Sequence, residues 1–351
     1  MSSHEHPYKA QPERAFWRAS VGSRHYSEIA DLWQPMPLCK SDRIATAGSC
    51  FARHIGNNLA ARGAAFMDME PSPPVFSSAA EARRWGYGVF SCRYGNIYTS
   101  RQLVQLFDEA HGTRMPEERV WEKEGRYFDA LRPSVDPVGQ DSLETVLSLR
   151  ARHLAAVRKM FATLDVFVFT MGLTEGWEST LDGTMFAVCP GTIASTYDPS
   201  RHAFRNLRHA EIKSDMLAFW ERLRTVNPSA RMLLTVSPVS LAATATSDHI
   251  LVATTYSKSV LRAVAGELSE DVDDIFYFPS YEIVSSHPSR AMFFEPDLRN
   301  VNMFGVNFVM KHFFSGILAD EFGNTVQPET EELDLICDEA SLDVDANSGK
   351  N

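Results

Sequence analysis

Residues 44–63 read IATAGSCFARHIGNNLAARG, and the folding of this stretch decides the architecture of the chain. It opens on small and apolar residues, IATAG, the composition of a short strand covered on both faces. Phe51, Ile55 and Leu59 then recur at i, i+4 and i+8, one stripe of an α-helix, and Gly63 stands where a helix stop belongs. Gly48, Ser49 and Cys50 occupy the junction. A serine at such a junction has two ordinary uses. Its oxygen can cap the helix by accepting an orphan backbone N–H, or its hydroxyl can attack an electrophile when a base lies near.

The strand–helix alternation continues down the chain. Residues 142–162 are helical by period, with Leu143, Val146, Leu147, Leu154, Val157 and Phe161 on one face. DVFVFTMG (165–172) and ARMLLTVSPV (230–239) are continuous apolar runs of the kind found in buried parallel strands. Between them EIKSDMLAFWERLRTVNP (211–228) carries a helical stripe, and ILVATTYSKSVLRAVAGEL (250–268) gives the next helix. DIFYFPSYEIV (274–284) reads as a last strand and NMFGVNFVMKHFFSGIL (302–318) as a last helix. This order predicts β-α-β units and a three-layer α/β/α sandwich with a mainly parallel sheet. Ligands of such sheets bind beyond the carboxyl ends of the strands. That places Gly48-Ser49, TMGLTEGW, TVSPVSL and the loop from Tyr281 to Asn302 on one rim.

Composition narrows the function classes. The net charge is −11 with no long Lys/Arg run, which argues against nucleic acid or an anionic membrane as partner. Five cysteines, at 39, 50, 92, 189 and 337, form no CxxC pair, a pattern of neither a disulfide framework nor a zinc site and one that suits a reducing cytosol. The start of the chain shows no signal-peptide core and no window approaches a transmembrane span, so a cytoplasmic protein is expected. No side-chain cluster has metal-ligand spacing and no glycine-rich phosphate loop is present, so neither a metal nor a cofactor is expected. The organisation predicted is a polar arm over 1–39 packed on the domain through Trp17 and Trp33, one domain over 40–318, and an acidic, disordered tail over 319–351.

Six stretches, AGSCFA (47–52), GNIYTSRQL (95–103), FTMGLTEGW (169–177), LLTVSPV (233–239), YSKSVLRA (256–263) and YFPSYEIV (277–284), together resemble the GSCFA family, which looks like a divergent branch of the SGNH (GDSL-type) hydrolases. The resemblance implies an SGNH-like sandwich and chemistry on acyl esters. Carried over by position, the nucleophilic serine falls on Ser49 and the glycine of the second block on Gly95. The third block, Gly-x-Asn-Asp in SGNH enzymes, meets Gly172-Leu173-Thr174-Glu175, so a Thr174 hydroxyl stands where an asparagine donor is usual. The final Asp-x-x-His meets Asp297-Leu298-Arg299-Asn300, so Asn300 stands where the catalytic base is usual, and an amide is no base near neutral pH.

A histidine from elsewhere is therefore needed. His54, five residues after Ser49, lies about 140° round the same helix and faces elsewhere. His249, opening the helix after TVSPVSLAATATSD, stands ahead of His287 in SSHPSRAMFF, with Asp297 to orient it. Gly48, Asn96 and Glu175 complete the expected surroundings of the serine. Backbone N–H groups of Ser49 and Gly95, with Thr174 or Asn96, are the expected oxyanion donors. Lys258 is expected to hold a loop carbonyl or carboxylate, and Cys50 to pack inward. The function expected is a serine-dependent acyl-ester hydrolase or O-acyltransferase acting on a carbohydrate or other small hydroxylated molecule. A catalytically silent SGNH-like binding module is the rival.

Overall fold

The computed structural model describes residues 6–316. A four-stranded, all-parallel sheet forms its centre: β1 (Ile44–Gly48), β4 (Val166–Met171), β8 (Arg231–Val236) and β9 (Ile275–Phe278), in the spatial order β1-β4-β8-β9. Every crossover steps in the same direction. Because such crossovers are right-handed, the helices that lead into each next strand fall on one face. These are α4 (Leu143–Thr163), α5 (His209–Val226) and α6 (Ile250–Asp271), joined by α3 (Ser100–Ala110). The opposite face is covered by α1 (Ala52–Ala61), α7 (Ser280–Ser285) and α8 (Met303–Gly316). The three-layer α/β/α sandwich follows.

The alternation of side chains along each strand divides the core in two. Ala45, Ala47, Phe167, Phe169, Met232 and Leu234 face the α3–α6 layer. Ile44, Val166, Val168, Leu233 and Phe278 face the α1–α8 layer. At the centre of the first layer Phe107, Phe161, Phe167 and Phe219 pack with ring centroids 5.3–5.9 Å apart. β1 is an edge strand, and its free backbone groups are taken up by two passing segments. Met67 N–H donates to the Ile44 carbonyl (2.9 Å), Ser91 Oγ accepts from Thr46 N–H (3.0 Å), and Ile97 N–H donates to the Gly48 carbonyl (2.9 Å). The second of these passages brings the loop of Gly95 and Asn96 beside the serine.

Two antiparallel additions were not foreseen from the sequence. A hairpin joins β2 (Val120–Lys123) to β3 (Arg126–Asp129) through Glu124 and Gly125, both with positive φ, as a two-residue hairpin turn requires. After β4 the chain builds a small sheet from β5 (Glu175–Ser179), β6 (Met185–Phe186) and β7 (His202–Asn206), in the order β6-β5-β7. The strand read over 274–284 stops at Phe278: Pro279, which has no N–H to donate, stands between it and α7. A short helix, α2 (Ala79–Arg84), lies in the connection that follows α1.

The N-terminal arm is held by Trp33, whose Nε1–H donates to the His312 carbonyl (3.1 Å) and whose ring meets Phe278 and Phe313. Tyr26 contributes by an edge contact with Phe293. Trp17, expected as the second anchor, is 60% exposed and only stacks on His287. The acidic tail expected over 319–351 lies outside the described residues.

Phe219→Ala leaves a cavity among four packed rings, and truncation of such a side chain costs about 3–5 kcal/mol. Urea unfolding is expected to show that loss as a lower midpoint with an unchanged slope. A loss below about 1 kcal/mol would contradict the central place given to this cluster.

Candidate active site

Ser49 lies at the carboxyl end of β1, where two backbones approach without room for a side chain. Gly48 has φ +127°, and a β-carbon there would lie 2.2 Å from the Thr170 carbonyl oxygen. A β-carbon at Gly172 would lie 3.1 Å from Ser49 Cβ and 3.1 Å from Tyr98 Cδ1. The serine is therefore backed by the strand end Thr170–Gly172 and by Tyr98. Its backbone N–H donates to the Thr170 carbonyl at 3.0 Å. It is thus committed to the fold, and the expectation that it would hold an oxyanion is corrected. The N–H groups of Ala52, Arg53 and His54 likewise close tight turns onto the carbonyls of Ser49, Cys50 and Phe51.

The hydroxyl is in a different position. Ser49 is 3% exposed and its Oγ has no hydrogen-bond partner. The helix cap is Phe51, with no side-chain cap bond, so the bland explanation of this serine fails. Thr174, fully buried, also carries an unpartnered Oγ1, while its backbone N–H donates to Ser257 Oγ (3.1 Å). Lys258, fully buried, donates from Nζ to the Gly172 carbonyl at 2.7 Å, as expected of a lysine holding a loop carbonyl. Cys50 packs in the core of the α1–α8 face. Gly95, with φ +68°, lies against Val135 and Ser134, and Asn96 is buried beside it.

The histidines expected to serve Ser49 are engaged elsewhere. His249 is exposed and caps α6, its Nδ1 accepting from Leu251 N–H at 3.2 Å. His287 is exposed and stacks on Trp17 with ring centroids 5.3 Å apart. Asp297 does not orient either of them. Its Oδ1 accepts from the N–H groups of Arg299 (2.9 Å) and Asn300 (3.0 Å), and its Oδ2 accepts from Asn300 Nδ2 (2.6 Å). Partial burial works against ionisation of Asp297, but these donors outweigh it and hold the carboxyl below its ordinary range. The predicted trio of Ser49, His249 and Asp297 is thus not joined by hydrogen bonds. Glu175 is nearly buried. Burial raises its pKa, although Thr244 Oγ1 (2.8 Å) and Ala245 N–H (3.3 Å) donate to the carboxylate.

The feature that the sequence reading missed is a buried ionic network on the α4 side. Arg150 binds Glu109 and Asp129 (3.0 Å), Arg132 binds Asp129 (2.7 Å), and Arg93 binds Asp136 (3.0 Å). His153 Nδ1 meets Glu70 Oε2 at 2.7 Å, which leaves the neutral ring's Nε2 as a lone-pair acceptor, buried and unpartnered. Arg150 and His153 sit among Val146, Val157 and Met160 on the buried face of α4. Their spacing was the available signal: polar residues at core positions of an otherwise apolar stripe.

A carboxylate-held imidazole resembles the base a serine needs, but two properties oppose that use. Burial, helped by the charge of Arg132, depresses His153 to about 4, leaving a weak base at neutral pH. The cavity lined by Asn96, Gln105, Glu109, Arg132, Arg150 and His153 has a volume of ≈ 30 Å³, too small for an organic substrate.

The GSCFA family profile matches residues 43–313, most of the chain and all four strands of the central sheet. The chain belongs to the GSCFA family. No curated protein matches it. The family match thus covers Ser49, the Gly172–Glu175 turn, Lys258 and the Asp297–Asn300 turn. Among the described residues, no group of three or more His, Cys, Asp and Glu side chains is placed to hold a metal ion, and no helix is long and apolar enough to cross a membrane.

The network predicts acid lability, and the sign can be worked out. His153 titrates at about 4 in the fold against ~6.5 unfolded, so the unfolded chain binds more protons between those values. The stability it confers is complete above ~6.5 and is lost as pH falls to about 4. Burial pushes Glu70 and Asp129 up, but His153 with Arg132 at the first, and Arg150 with Arg132 at the second, hold both at about 2. Their contribution is present above ~4.5 and is lost as pH falls toward about 2. Tm is expected to fall steadily from pH 7 to pH 3, and His153→Gln should flatten the upper half of that slope. A Tm independent of pH between 4 and 7 would contradict this account.

Proposed function

We propose that this protein is a serine-dependent acyl-ester hydrolase or O-acyltransferase acting on a carbohydrate or other small hydroxylated molecule, in the cytoplasm. The observation that supports this reading is the state of Ser49. A hydroxyl buried without a partner costs about 1–3 kcal/mol relative to a satisfied one. The Ser49 hydroxyl neither caps α1 nor bonds any neighbour, so nothing in its local structure calls for a serine. In this reading Ser49 Oγ attacks the acyl carbonyl as its proton passes to a base. The Thr174 hydroxyl, unpartnered on the neighbouring segment, donates to the oxyanion, with Asn96 beside it. The ester C–O bond breaks as the base returns that proton to the departing alcohol. The acyl group on Ser49 Oγ then passes to water or to a sugar hydroxyl, whose proton goes back through the base to Ser49.

A second reading has its own observation. Since Ser49 Oγ has no hydrogen-bond partner, no imidazole lies within bonding distance of it, which favours an SGNH-like module that binds a ligand without turning it over. In the enzyme, His249 must leave its capping position to reach the serine, a rearrangement that bound substrate would have to favour.

Fluorophosphonate labelling separates the two. Wild type is expected to label at Ser49 and to turn over short acyl esters, and Ser49→Ala to do neither while its Tm stays at or above that of wild type, because the change removes an unpaired buried hydroxyl. Equal labelling of both proteins rejects covalent serine chemistry. Asn300→His supplies the base in its SGNH position. If wild type is inert and Asn300→His hydrolyses esters, the binding-module reading holds for the natural chain.

A further inference from the structure

Lys258 is among the largest fully buried side chains, 1% exposed, in the first half of α6. Withdrawing an ammonium from water carries a large desolvation penalty, whereas an unbranched apolar chain would fill the same space without one. The lysine therefore needs a reason in what it touches. One of its contacts is the Gly172 carbonyl at 2.7 Å. That peptide has two sides: its oxygen points to the ammonium, and its α-carbon faces Ser49 so closely that a β-carbon there would lie 3.1 Å from Ser49 Cβ. The preceding residue of α6, Ser257, takes the Thr174 N–H at 3.1 Å. The amides of Gly172 and Leu173 converge on the Tyr98 carbonyl at 3.1 and 3.0 Å, fixing the same turn from a second direction.

We infer that Lys258 is a positioning residue of the serine site: with Ser257 it clamps the Gly172–Thr174 turn from α6, and the turn in turn sets the seat of Ser49 and the place of the Thr174 hydroxyl. The part concerning reactivity rests on the serine-enzyme reading above; the part concerning the turn does not. A charged donor holds a carbonyl more tightly than a neutral one. A sliding turn would move the serine and its oxyanion donor together, and errors of this size are costly in reactions that depend on alignment.

The test compares wild type, Lys258→Met, Lys258→Arg and Ser257→Ala in the full chain, at a temperature well below every Tm. Two quantities are read: amide hydrogen exchange at Gly172, Leu173 and Thr174, with Leu233 in β8 as the reference, and the rate of fluorophosphonate labelling at Ser49. Lys258→Met is expected to speed exchange at the turn at least tenfold while Leu233 is unchanged, and to slow labelling at least tenfold. Lys258→Arg should restore part of both. If Lys258→Met does not fold, Ser257→Ala carries the test, with at least threefold effects expected. Unchanged exchange at the turn, or exchange raised equally at Leu233, overturns the clamp. Loosened exchange with wild-type labelling overturns its role in seating the serine. If wild type itself does not label at Ser49, the serine reading falls, and the exchange data alone sustain or overturn the clamp.

Discussion

The structure depends on one close approach. At the carboxyl ends of β1 and β4 the backbones of Gly48 and Thr170 come so near that a β-carbon at Gly48 would fall inside the Thr170 carbonyl, and the Ser49 N–H closes the gap by donating to that oxygen. A left-handed φ at Gly48 is what lets the chain leave the sheet at this point, and only glycine adopts it without strain. From there the chain enters α1 on one face of the sheet. The loop before α3, bonded to the Gly48 carbonyl through Ile97, continues on the other. Gly172, one residue beyond β4, lies in tight contact with the serine itself, a β-carbon there being 3.1 Å from Ser49 Cβ. The two glycines, one ending β1 and one just past β4, thus bear on both the origin of the layers and the seat of the hydroxyl.

The α4 side is organised by a different force. Three arginines and three carboxylates are buried there within the domain, with Glu70 half-buried beside them, where apolar residues of equal volume would avoid the cost of desolvation. Once present, the charges are interdependent: removing one partner from a buried pair costs about 3–5 kcal/mol, because the other is left uncompensated. Asp129 is shared by Arg132 and Arg150, tying the β2–β3 hairpin to α4. Burial raises the pKa of Glu109 despite the charge and hydrogen bond of Arg150, whereas the arginines hold Asp129 low. The network joins the edge segments and the hairpin to the main sandwich by directional bonds, which apolar contacts at the same place would not supply.

The parallel sheet was legible because its evidence is local and redundant. Each buried strand is a continuous apolar run, and each following helix carries its own period, so errors at one end do not spread. The junction serine was legible for the same reason, being attached to a strand and a helix that both declare themselves. What escaped was relational. β5, β6 and β7 are short and their residues are only partly apolar, so they are strands through pairing with each other rather than through period. His249 was plausible as a base because it follows β8, but a capping bond to Leu251 N–H claims its Nδ1, and a linear reading weighs position without seeing that competition. Arg150 and His153 interrupt a clean apolar stripe. Their partners, Asp129 and Glu70, lie 21 and 83 residues away.

At the Asp297–Asn300 turn an asparagine makes contacts that can be set beside those of an Asp-x-x-His pair. In an Asp-x-x-His arrangement the aspartate accepts a hydrogen bond from the imidazole Nδ1–H, and the other ring nitrogen accepts the proton. Here the side-chain amide of Asn300 makes the first of these contacts at 2.6 Å, and the backbone N–H groups of Arg299 and Asn300 complete the carboxylate's set. Asparagine therefore reproduces the orienting half of a dyad. It cannot reproduce the proton-accepting half, because the amide nitrogen carries no basic lone pair.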